Sequence, residues 1–230
     1  AKIAYVFRDQ GGNGPGYTTI VGGGANAVIL HYIQNDSALQ DGDLVCVDAG
    51  CEFEYYTADV TRTWPVNGKF SPAQRELYAA VLKAEELVVE SVKPGVKFSE
   101  LQNIAARSLT ESMVELGIME GDIDELLAGK KYRKFYMHGV SHWLGMDVHD
   151  VGPYVSQKDS IPLEAGMLLT VEPGLYFAKD DQSIPEKYRG IGIRIEDDIL
   201  VTKDGSENLT GMIPRSIEDI EAIVGQNVCS

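Results

Sequence analysis

The sequence predicts a mixed α/β (α+β) domain made of two related halves. Short segments rich in apolar and β-branched residues lie towards both ends of the 230-residue chain, and two segments with helical periodicity separate them. The strand-like segments at 42–48 and 166–172 also resemble each other. With 44% hydrophobic residues, a chain of this length can bury the core of one large domain or two small ones.

The first strands are predicted around glycine-rich turns. Residues 18–32 (TTIVGGGANAVILHY) predict two short strands interrupted by glycines. Residues 41–66 predict a hairpin of two longer strands, whose turn lies in CEFEY at 51–55. With the turn at that position, Asp48 faces Asp59 across the hairpin, because paired residues are equidistant from the turn.

Two helices follow, each with a predicted N-terminal capping box. Ser71 and Gln74 have the capping-box spacing, with a proline at the first helical position. Ser99 and Gln102 have the same spacing and predict a second helix, which ends at Gly117. The predicted apolar face of the second helix consists of Leu101, Ile104, Ala105, Leu109, Met113 and Leu116.

The second half returns to strands. Residues 120–134 predict a short helix or an exposed loop. Strands are predicted within 165–177 (AGMLLTVEPGLYF) and 190–202 (GIGIRIEDDILVT), because both segments are apolar and of strand length. Residues 216–224 predict a terminal helix.

The two similar segments indicate an ancient duplication. GDLVCVD (42–48) and GMLLTVE (166–172) each place an acid six positions after a glycine, at the end of an apolar run. In each half a turn and a second acid-bearing strand follow, with Asp59 in the first half and Glu196 in the second. Such a duplication predicts pseudo-twofold symmetry, with acids from both halves meeting at the centre.

The charge and cysteine content of the chain exclude several classes of protein. A net charge of −15 argues against nucleic acid or an anionic membrane as a partner. No apolar run approaches the roughly 20 residues that cross a bilayer. The glycine-rich segments match neither of the nucleotide-binding patterns GxGxxG and GxxxxGK[ST]. Cys46, Cys51 and Cys229 show no CxxC spacing, so we expect free thiols in a reducing compartment, the cytoplasm.

Several acids lie where a carboxylate would be buried. Asp48 ends the apolar run LVCVD and faces Asp59 in the predicted hairpin. Like charges so placed are destabilising, and an unpaired buried carboxylate costs several kcal/mol. In GIRIEDD, Arg194 and Glu196 share one strand face and the isoleucines share the other. Either these acids lie at strand ends in water, or a cation lies between them.

Three of the four histidines lie close together, in FYMHGVSHWLGMDVHDVG at 135–152. An isolated histidine is usually a core or surface residue, but His138, His142 and His149 alternate with glycines and aspartates, which is typical of a site. His138 and His142 have the spacing of the HExxH metal motif, yet Gly139 occupies the glutamate position. That motif is therefore excluded.

Two aspartates, two glutamates and one histidine suit a pair of divalent ions with bridging carboxylates. In two-metal hydrolytic sites the ions lie ~3.5–4 Å apart and hold a bridging water or hydroxide. Four oxygen donors with one imidazole favour Mn²⁺, with Co²⁺, Fe²⁺ or Zn²⁺ as alternatives. The same donor set excludes thiolate-rich structural zinc.

These motifs resemble the pita-bread metallopeptidases, and most closely the aminopeptidase P (Xaa-Pro aminopeptidase) family. The resemblance rests on DLVCVDAGCEFEYYTADVTRTWPV, HGVSHWLGMDVHDVG, LTVEPGLYF and GIGIRIEDD, in this order, and extends through nearly the whole chain. The pattern H-G-x-S-H-x-x-G-x-x-V-H-D is highly specific. The resemblance implies the pita-bread fold, in which two pseudo-symmetric halves form a curved, mainly antiparallel sheet covered by helices.

The resemblance also implies the site residues. All five metal ligands of the family pattern are present: Asp48, Asp59, His142, Glu172 and Glu196. The histidines that match the family's non-ligand histidines around the substrate are His31, His138 and His149. Among the substrate-binding residues, Arg194 is expected to hold a carboxylate in place across the strand face, and Tyr176 to contribute to the pocket. Glu172 is expected to be catalytic as well as a ligand, because it would transfer a proton beside the reactive water.

The implied activity is removal of the N-terminal residue from peptides with proline in second position. Prolidase, which cleaves Xaa-Pro dipeptides, is the nearest alternative, and methionine aminopeptidase fits the histidine pattern less well. A catalytically silent binding protein, or metal-independent hydrolysis of a small molecule such as creatine, would use the same fold. The intact set of acids counts against both.

The resemblance further implies a homodimer or a homotetramer. The chain begins at AKIAYVFRDQ, without a methionine. We expect residues 1–230 to be a single catalytic domain and a fragment, lacking the amino-terminal domain that aminopeptidase P carries.

Overall fold

Two strand-rich halves are separated by two long helices. The computed structural model of the chain describes residues 1–225. The elements of the first half are α1 Lys2–Asp9, β1 Gly14–Pro15, β2 Ile20–Gly23, a 3₁₀ helix Gly24–Val28, β3 Leu44–Asp48, β4 Cys51–Phe53, β5 Tyr56–Thr57 and β6 Thr61–Pro65. Strands β2, β3 and β6 form one antiparallel sheet with β3 in the centre, and β1, β4 and β5 form a second.

The register between β3 and β6 differs from the prediction. Asp48 pairs with Thr61 rather than with Asp59. The turn lies at Glu54 and Tyr55, which both adopt positive φ angles, 48° and 72°. Such angles favour glycine or asparagine, so this sequence does not signal the turn position. The expected second strand within 18–32 is also wrong, because the chain forms the 3₁₀ helix there.

The helix α2 spans Pro72–Ser91, and its predicted capping box is confirmed. The Ser71 N–H donates to Gln74 Oε1 over 2.8 Å, and the Gln74 N–H donates to Ser71 Oγ over 3.3 Å. These two bonds satisfy donors that would otherwise be unpaired at the helix N-terminus.

The helix α3 spans Phe98–Glu115, but its predicted capping box is wrong. Lys97 is the N-cap residue and makes no side-chain capping bond. The Ser99 N–H instead donates to Ser160 Oγ, and the Phe98 N–H donates to the Ile161 carbonyl, both over 2.9 Å. Acceptors from a distant segment therefore replace the local cap.

The predicted apolar face of α3 is confirmed. Leu101, Ala105, Leu109 and Met113 are fully buried and pack in one continuous core with α2 and the strands. Ile104 and Leu116 are partly buried against the same core. The two helices thus cover one face of the strands and leave the other face to the acid-bearing side chains.

The second half repeats the strand architecture. Its elements are α4 Ile123–Ala128, a 3₁₀ helix Lys131–Lys134, β7 Val155–Ser156, β8 Asp159–Ser160, β9 Leu168–Val171, β10 Gly174–Tyr176, a 3₁₀ helix Glu186–Tyr188, β11 Gly192–Arg194, β12 Asp197–Val201, β13 Ser206–Asn208 and α5 Ile217–Ile223. Strand β12 lies between β13 and β9, while β10 pairs with β11 and β7 with β8, all antiparallel. The predicted terminal helix is confirmed as α5, capped by Ser216.

The two halves are joined directly through β6 and the segment between β11 and β12. The Glu196 N–H donates to the Thr61 carbonyl over 3.0 Å. The Thr63 hydroxyl donates to the Arg194 carbonyl over 2.9 Å and lies 3.2 Å from the Arg194 N–H. These contacts bring the acidic strand ends of both halves together.

Two smaller findings concern sequence features. Cys46 is buried and Cys51 is half-buried, and both are free thiols as predicted, while Cys229 lies outside the described residues. Within residues 1–225, no helix combines the length and the apolar character that a membrane span requires.

Candidate active site

The five predicted metal ligands converge where the two halves join. Asp48 ends β3, Glu172 directly follows β9, and Glu196 lies between β11 and β12. Asp59 precedes β6, and His142 lies in the connection before β7. All five line one cavity of about 370 Å³. Acids separated by more than 100 positions are thus brought to one place, as the proposed duplication predicts.

Asp59, His142 and Glu196 have the spacing of groups that bind a metal ion. Each offers one ligand atom, and these three atoms lie within 4.8 Å of one another. His142 Nε2 lies 3.4 Å from Asp59 Oδ2 and 3.6 Å from Glu172 Oε1. His142 Nδ1 is 3.0 Å from the Trp143 carbonyl, which directs Nε2 towards the acids.

Three carboxylates of this cluster are buried beside one another, and that of Glu172 is half-buried. Burial raises the pKa of Glu172 to about 7 and raises that of Glu196 well above its usual value, and neighbouring carboxylates add to both shifts. Burial, together with the charge of Asp59, also raises the pKa of Asp48, although Arg194 opposes the shift. A set of hard oxygen donors that repel one another and face one imidazole fits divalent cations.

Two side chains that the sequence analysis missed contact these acids. The Tyr17 hydroxyl lies 2.5 Å from Asp48 Oδ1 and 2.6 Å from Asp59 Oδ1. The Thr61 hydroxyl donates to Glu196 Oε2 over 2.6 Å. Thr61 lies two residues after Asp59, at the start of β6, and this closeness in sequence is the signal that could have found it. Tyr17 had no comparable signal.

Arg194 links the acid cluster to the neighbouring pocket. Its Nε atom donates to Thr61 Oγ1 over 3.1 Å and one terminal nitrogen donates to Asp48 Oδ2 over 2.8 Å. The other terminal nitrogen donates to the Tyr176 hydroxyl over 3.0 Å. The alternation predicted for this strand is confirmed, because Arg194 and Glu196 line the cavity while Ile193 and Ile195 lie in the core.

A directional hydrogen-bond chain continues from Arg194 to His138. The Tyr176 hydroxyl lies 2.9 Å from His138 Nε2, and His138 Nδ1 lies 2.8 Å from the Gly139 carbonyl. Burial lowers the pKa of His138 to about 4, so its ring is neutral at pH 7. A neutral ring that donates from Nδ1 to Gly139 accepts the Tyr176 proton at Nε2. This part of the cavity therefore carries no charge on the imidazole.

The remaining predicted residues also reach the cavity. His31 and His149 are exposed and line both this cavity and an adjoining one of about 300 Å³, which Tyr17 also lines. The His149 ring lies edge-on to the His142 ring, with centroids 4.4 Å apart. All the site residues singled out from the sequence thus lie in one region.

Two further residues support or line the site. Tyr154 lines the cavity, and its ring stacks on Trp143 at 5.6 Å. The side chain of Gln102, predicted to be a capping residue, accepts the Val140 N–H over 2.7 Å and so holds the histidine-bearing segment.

Comparison with known proteins identifies the family of the chain. The sequence profile of metallopeptidase family M24 matches residues 1–203. The chain belongs to metallopeptidase family M24. The resemblance stated from the sequence motifs is thereby confirmed.

Curated relatives of this M24 chain are Xaa-Pro aminopeptidases. That of Escherichia coli strain K12 is 52% identical over 223 residues, which are 97% of this chain and 50% of the relative. That of Haemophilus influenzae is 50% identical over 224 residues, 97% of this chain and 52% of the relative. Human Xaa-Pro aminopeptidase 3 is 41% identical over 226 residues, which are 98% of this chain and 44% of the relative. The chain spans about half the length of these relatives.

Solved structures confirm the predicted fold. The Pseudomonas aeruginosa aminopeptidase PepP has a TM-score of 0.95 and 49% identity, covering 96% of this chain and 50% of that chain. A zinc-substituted Escherichia coli aminopeptidase P in complex with product has a TM-score of 0.92 and 52% identity, with the same coverage. This M24 chain therefore has the pita-bread fold of aminopeptidase P.

Proposed function

We propose that this M24 chain forms the catalytic centre of a metal-dependent aminopeptidase that releases the N-terminal residue from peptides with proline in second position. One observation carries the proposal: a single cavity joins the carboxylate and histidine cluster to a pocket whose imidazole, His138, is neutral and half-buried. The cluster suits peptide hydrolysis, and the neighbouring pocket suits an uncharged ring.

Asp48, Asp59, His142, Glu172 and Glu196 would hold two divalent ions, with Mn²⁺ as the best match to the four carboxylates. When bound, such ions would lower the pKa of the water they hold towards neutrality and so supply hydroxide. The acids on the Asp48 and Asp59 side would receive the free α-amino group. Because the substrate must offer a free α-amino group, the enzyme would act at the N-terminus of a peptide, as an exopeptidase.

Two exposed histidines and one of these glutamates, Glu172, would act on the substrate. His31 and His149 are exposed at the cavity and would donate hydrogen bonds to the substrate and to the tetrahedral oxyanion. Each such donor typically stabilises the transition state by ~2.7–4 kcal/mol. Glu172 would pass a proton to the proline nitrogen. Its Oε1 atom lies 3.6 Å from His142 Nε2, and its Oε2 atom lies 3.6 Å from His138 Nδ1. It therefore lies between the ligand cluster and the pocket.

His138 and Tyr176 would shape the pocket for the proline ring. Their mutual hydrogen bond and the bond from Arg194 to Tyr176 fix both side chains. A proline nitrogen in a peptide bond carries no hydrogen, so this pocket needs no acceptor for it. In this arrangement Arg194 supports the pocket and Asp48 together.

The charges around the pocket favour longer peptides over dipeptides. In an Xaa-Pro dipeptide the proline carries the terminal carboxylate, which requires a cation beside the pocket. Within residues 1–225, Arg194 is the one lysine or arginine that lines the cavity. Its donors are committed to Thr61, Asp48 and Tyr176. Aminopeptidase P activity therefore fits better than the prolidase alternative.

The experiment that tests this function uses the full-length protein, stripped of metal and then supplied with Mn²⁺. Its substrates are an Xaa-Pro-Yaa tripeptide, an Xaa-Pro dipeptide and an Xaa-Ala-Yaa control. We expect metal-dependent cleavage of the tripeptide only. Cleavage of the dipeptide alone would identify a prolidase, and no turnover with any metal would indicate a binding protein on this fold. The cytoplasmic location, the homodimer or homotetramer, and the single-domain interpretation of residues 1–230 stay predictions.

A further inference from the structure

A further buried carboxylate, that of Asp198, contacts the backbone of a predicted metal ligand. Asp198 Oδ2 accepts the Asp59 N–H over 3.1 Å. The Asp198 residue is only 4% exposed, and it lies on β12, in the other half of the molecule from Asp59. The bond therefore connects residues 139 positions apart.

Asp59 needs a partner from outside its own strands. Residues 58–60 lie between β5 and β6 and belong to neither strand, so no neighbouring strand supplies an acceptor at Asp59. A buried backbone N–H without an acceptor costs free energy comparable to a lost hydrogen bond. Asp198 satisfies this donor and thereby determines the position of the Asp59 backbone.

The acceptor itself is held rigidly. The Asp198 N–H donates to Thr210 Oγ1 over 3.0 Å, and the Asp198 carbonyl accepts the Leu209 N–H over 2.9 Å. Asp198 follows Glu196 by two residues, and Glu196 directly precedes β12. One short segment of the second half thus carries a predicted ligand and a support for a ligand of the first half.

The second carboxylate oxygen of Asp198 shows that this contact differs from an ordinary structural hydrogen bond. Within the described part of the chain, Asp198 Oδ1 is buried and has no hydrogen-bond partner. An amide or hydroxyl would accept the Asp59 N–H with a smaller burial cost. Within the described residues, the Asp59 N–H is thus the one hydrogen-bond partner of the two Asp198 carboxylate oxygens.

We propose that Asp198 is a positioning residue for the metal centre and acts through the backbone of Asp59. The inference rests on the proposed function, because it takes Asp59 as a metal ligand. Groups that orient metal ligands typically change metal affinity about 10–100-fold when they are removed. Asp198 is expected to have an effect of this size without touching the substrate.

The test measures Mn²⁺ binding to the metal-free, full-length protein by isothermal titration calorimetry. Asp198→Ala should weaken Mn²⁺ affinity about 10–100-fold. Asp198→Asn keeps an oxygen that accepts the Asp59 N–H. Its Mn²⁺ affinity should therefore differ from that of the wild-type protein by no more than about three- to tenfold. Glu85→Ala is the matched control, because Glu85 is fully buried and contacts Arg215, 3.4 Å away, rather than a predicted ligand. It should lose stability but retain wild-type Mn²⁺ affinity.

The outcomes separate this inference from the proposed function. Wild-type Mn²⁺ affinity in a folded Asp198→Ala protein would overturn the positioning role and leave the proposed function intact. A wild-type protein that binds no Mn²⁺ would overturn both. Equal losses of affinity in Asp198→Ala and Glu85→Ala would show a general effect of stability and so contradict the inference. If Asp198→Ala does not fold, an Asp198→Asn affinity as low as that of a ligand variant would contradict it too.

Discussion

The guanidinium of Arg194 donates a 2.8 Å hydrogen bond to Oδ2 of Asp48, although the two residues lie 146 positions apart. Both are buried, with 4% and 8% of their surface exposed. Asp48 belongs to the first half and Arg194 to the second, so this ion pair joins the halves at the candidate site. The same guanidinium contacts Tyr176 and Thr61, which connects the substrate pocket to the predicted ligands.

Replacing Arg194 should destabilise the metal-free protein. A lysine has one point charge and cannot reach Asp48, Thr61 and Tyr176 together, so Arg194→Lys should lower the free energy of unfolding by about 3–5 kcal/mol. Saturating Mn²⁺ should recover part of this loss, because bound ions would offset the Asp48 charge. Urea unfolding with and without Mn²⁺ measures both effects.

Arg189→Lys is the matched control for this prediction. Arg189 is half-buried and donates to the Ile184 carbonyl and to Gln182, outside the cavity. Its replacement should cost under about 1 kcal/mol, because these are partly solvated, neutral acceptors. Equal losses in the two variants would contradict the special role of the Arg194 and Asp48 pair.

Removing His142 should abolish tight metal binding. His142→Ala deletes the single nitrogen donor of the cluster, so Mn²⁺ affinity should fall at least about 100-fold and turnover should fall with it. Metal content after dialysis and calorimetric titration measure the affinity. His149→Ala removes a neighbouring imidazole and should keep near-wild-type Mn²⁺ affinity while turnover falls. Full metal content in His142→Ala would refute the assignment of the ligand.

The buried Glu85 should make stability depend on pH. Burial raises the pKa of Glu85 to about 8, with Arg215 opposing the shift and Asp197 adding to it. Between pH 4.5, the usual value, and pH 8 the folded chain holds a proton that the unfolded chain releases. The free energy of unfolding therefore falls as pH rises through this window, by at most about 1.4 kcal/mol per pH unit.

Glu85→Gln tests the sign of this dependence. A glutamine stays neutral, so the variant should gain stability relative to wild type between pH 5 and pH 8, by about 1–3 kcal/mol over the interval. Urea unfolding at both pH values gives this difference directly. A constant difference between the two proteins across the window would show that Glu85 does not titrate abnormally.

Gly50 should tolerate no side chain. An added Cβ would clash with the carbonyl oxygen of Ala58, a backbone atom, at the point where the segment between Asp48 and Asp59 folds back on itself. Gly50→Ala should therefore cost about 1–3 kcal/mol of stability and weaken Mn²⁺ binding, because both predicted ligands flank the clash. Gly205→Ala is the control, since nothing lies within 4 Å of its added Cβ. Similar melting temperatures for the two variants would count against the argument.

The chemistry of the site could be predicted from the sequence because it depends on residue types and short spacings. The acids that end apolar strands, and the histidines among glycines, predict a metal site from the sequence alone. Local interactions likewise predict α2, since Ser71 and Gln74 bond within one helical turn. The apolar periodicity that predicts the buried face of α3 is likewise a local feature of the sequence.

Tertiary structure decided the features that depend on distant partners. Ser99 has the spacing of a cap, yet Ser160 supplies the acceptor, because the end of β8 lies against the start of α3. The register that pairs Asp48 with Thr61 depends on a turn without glycine, which no local pattern signals.

The side chains that hold the predicted ligands in place were also decided by tertiary structure. Tyr17 and Asp198 reach Asp59 from positions 42 and 139 residues away. Nothing in the sequence around Asp59 indicates either partner, because their positions are set only when the two halves pack and bury the cluster. The sequence by itself thus determined which groups can bind metal, and the packing of the halves decided what holds them in place.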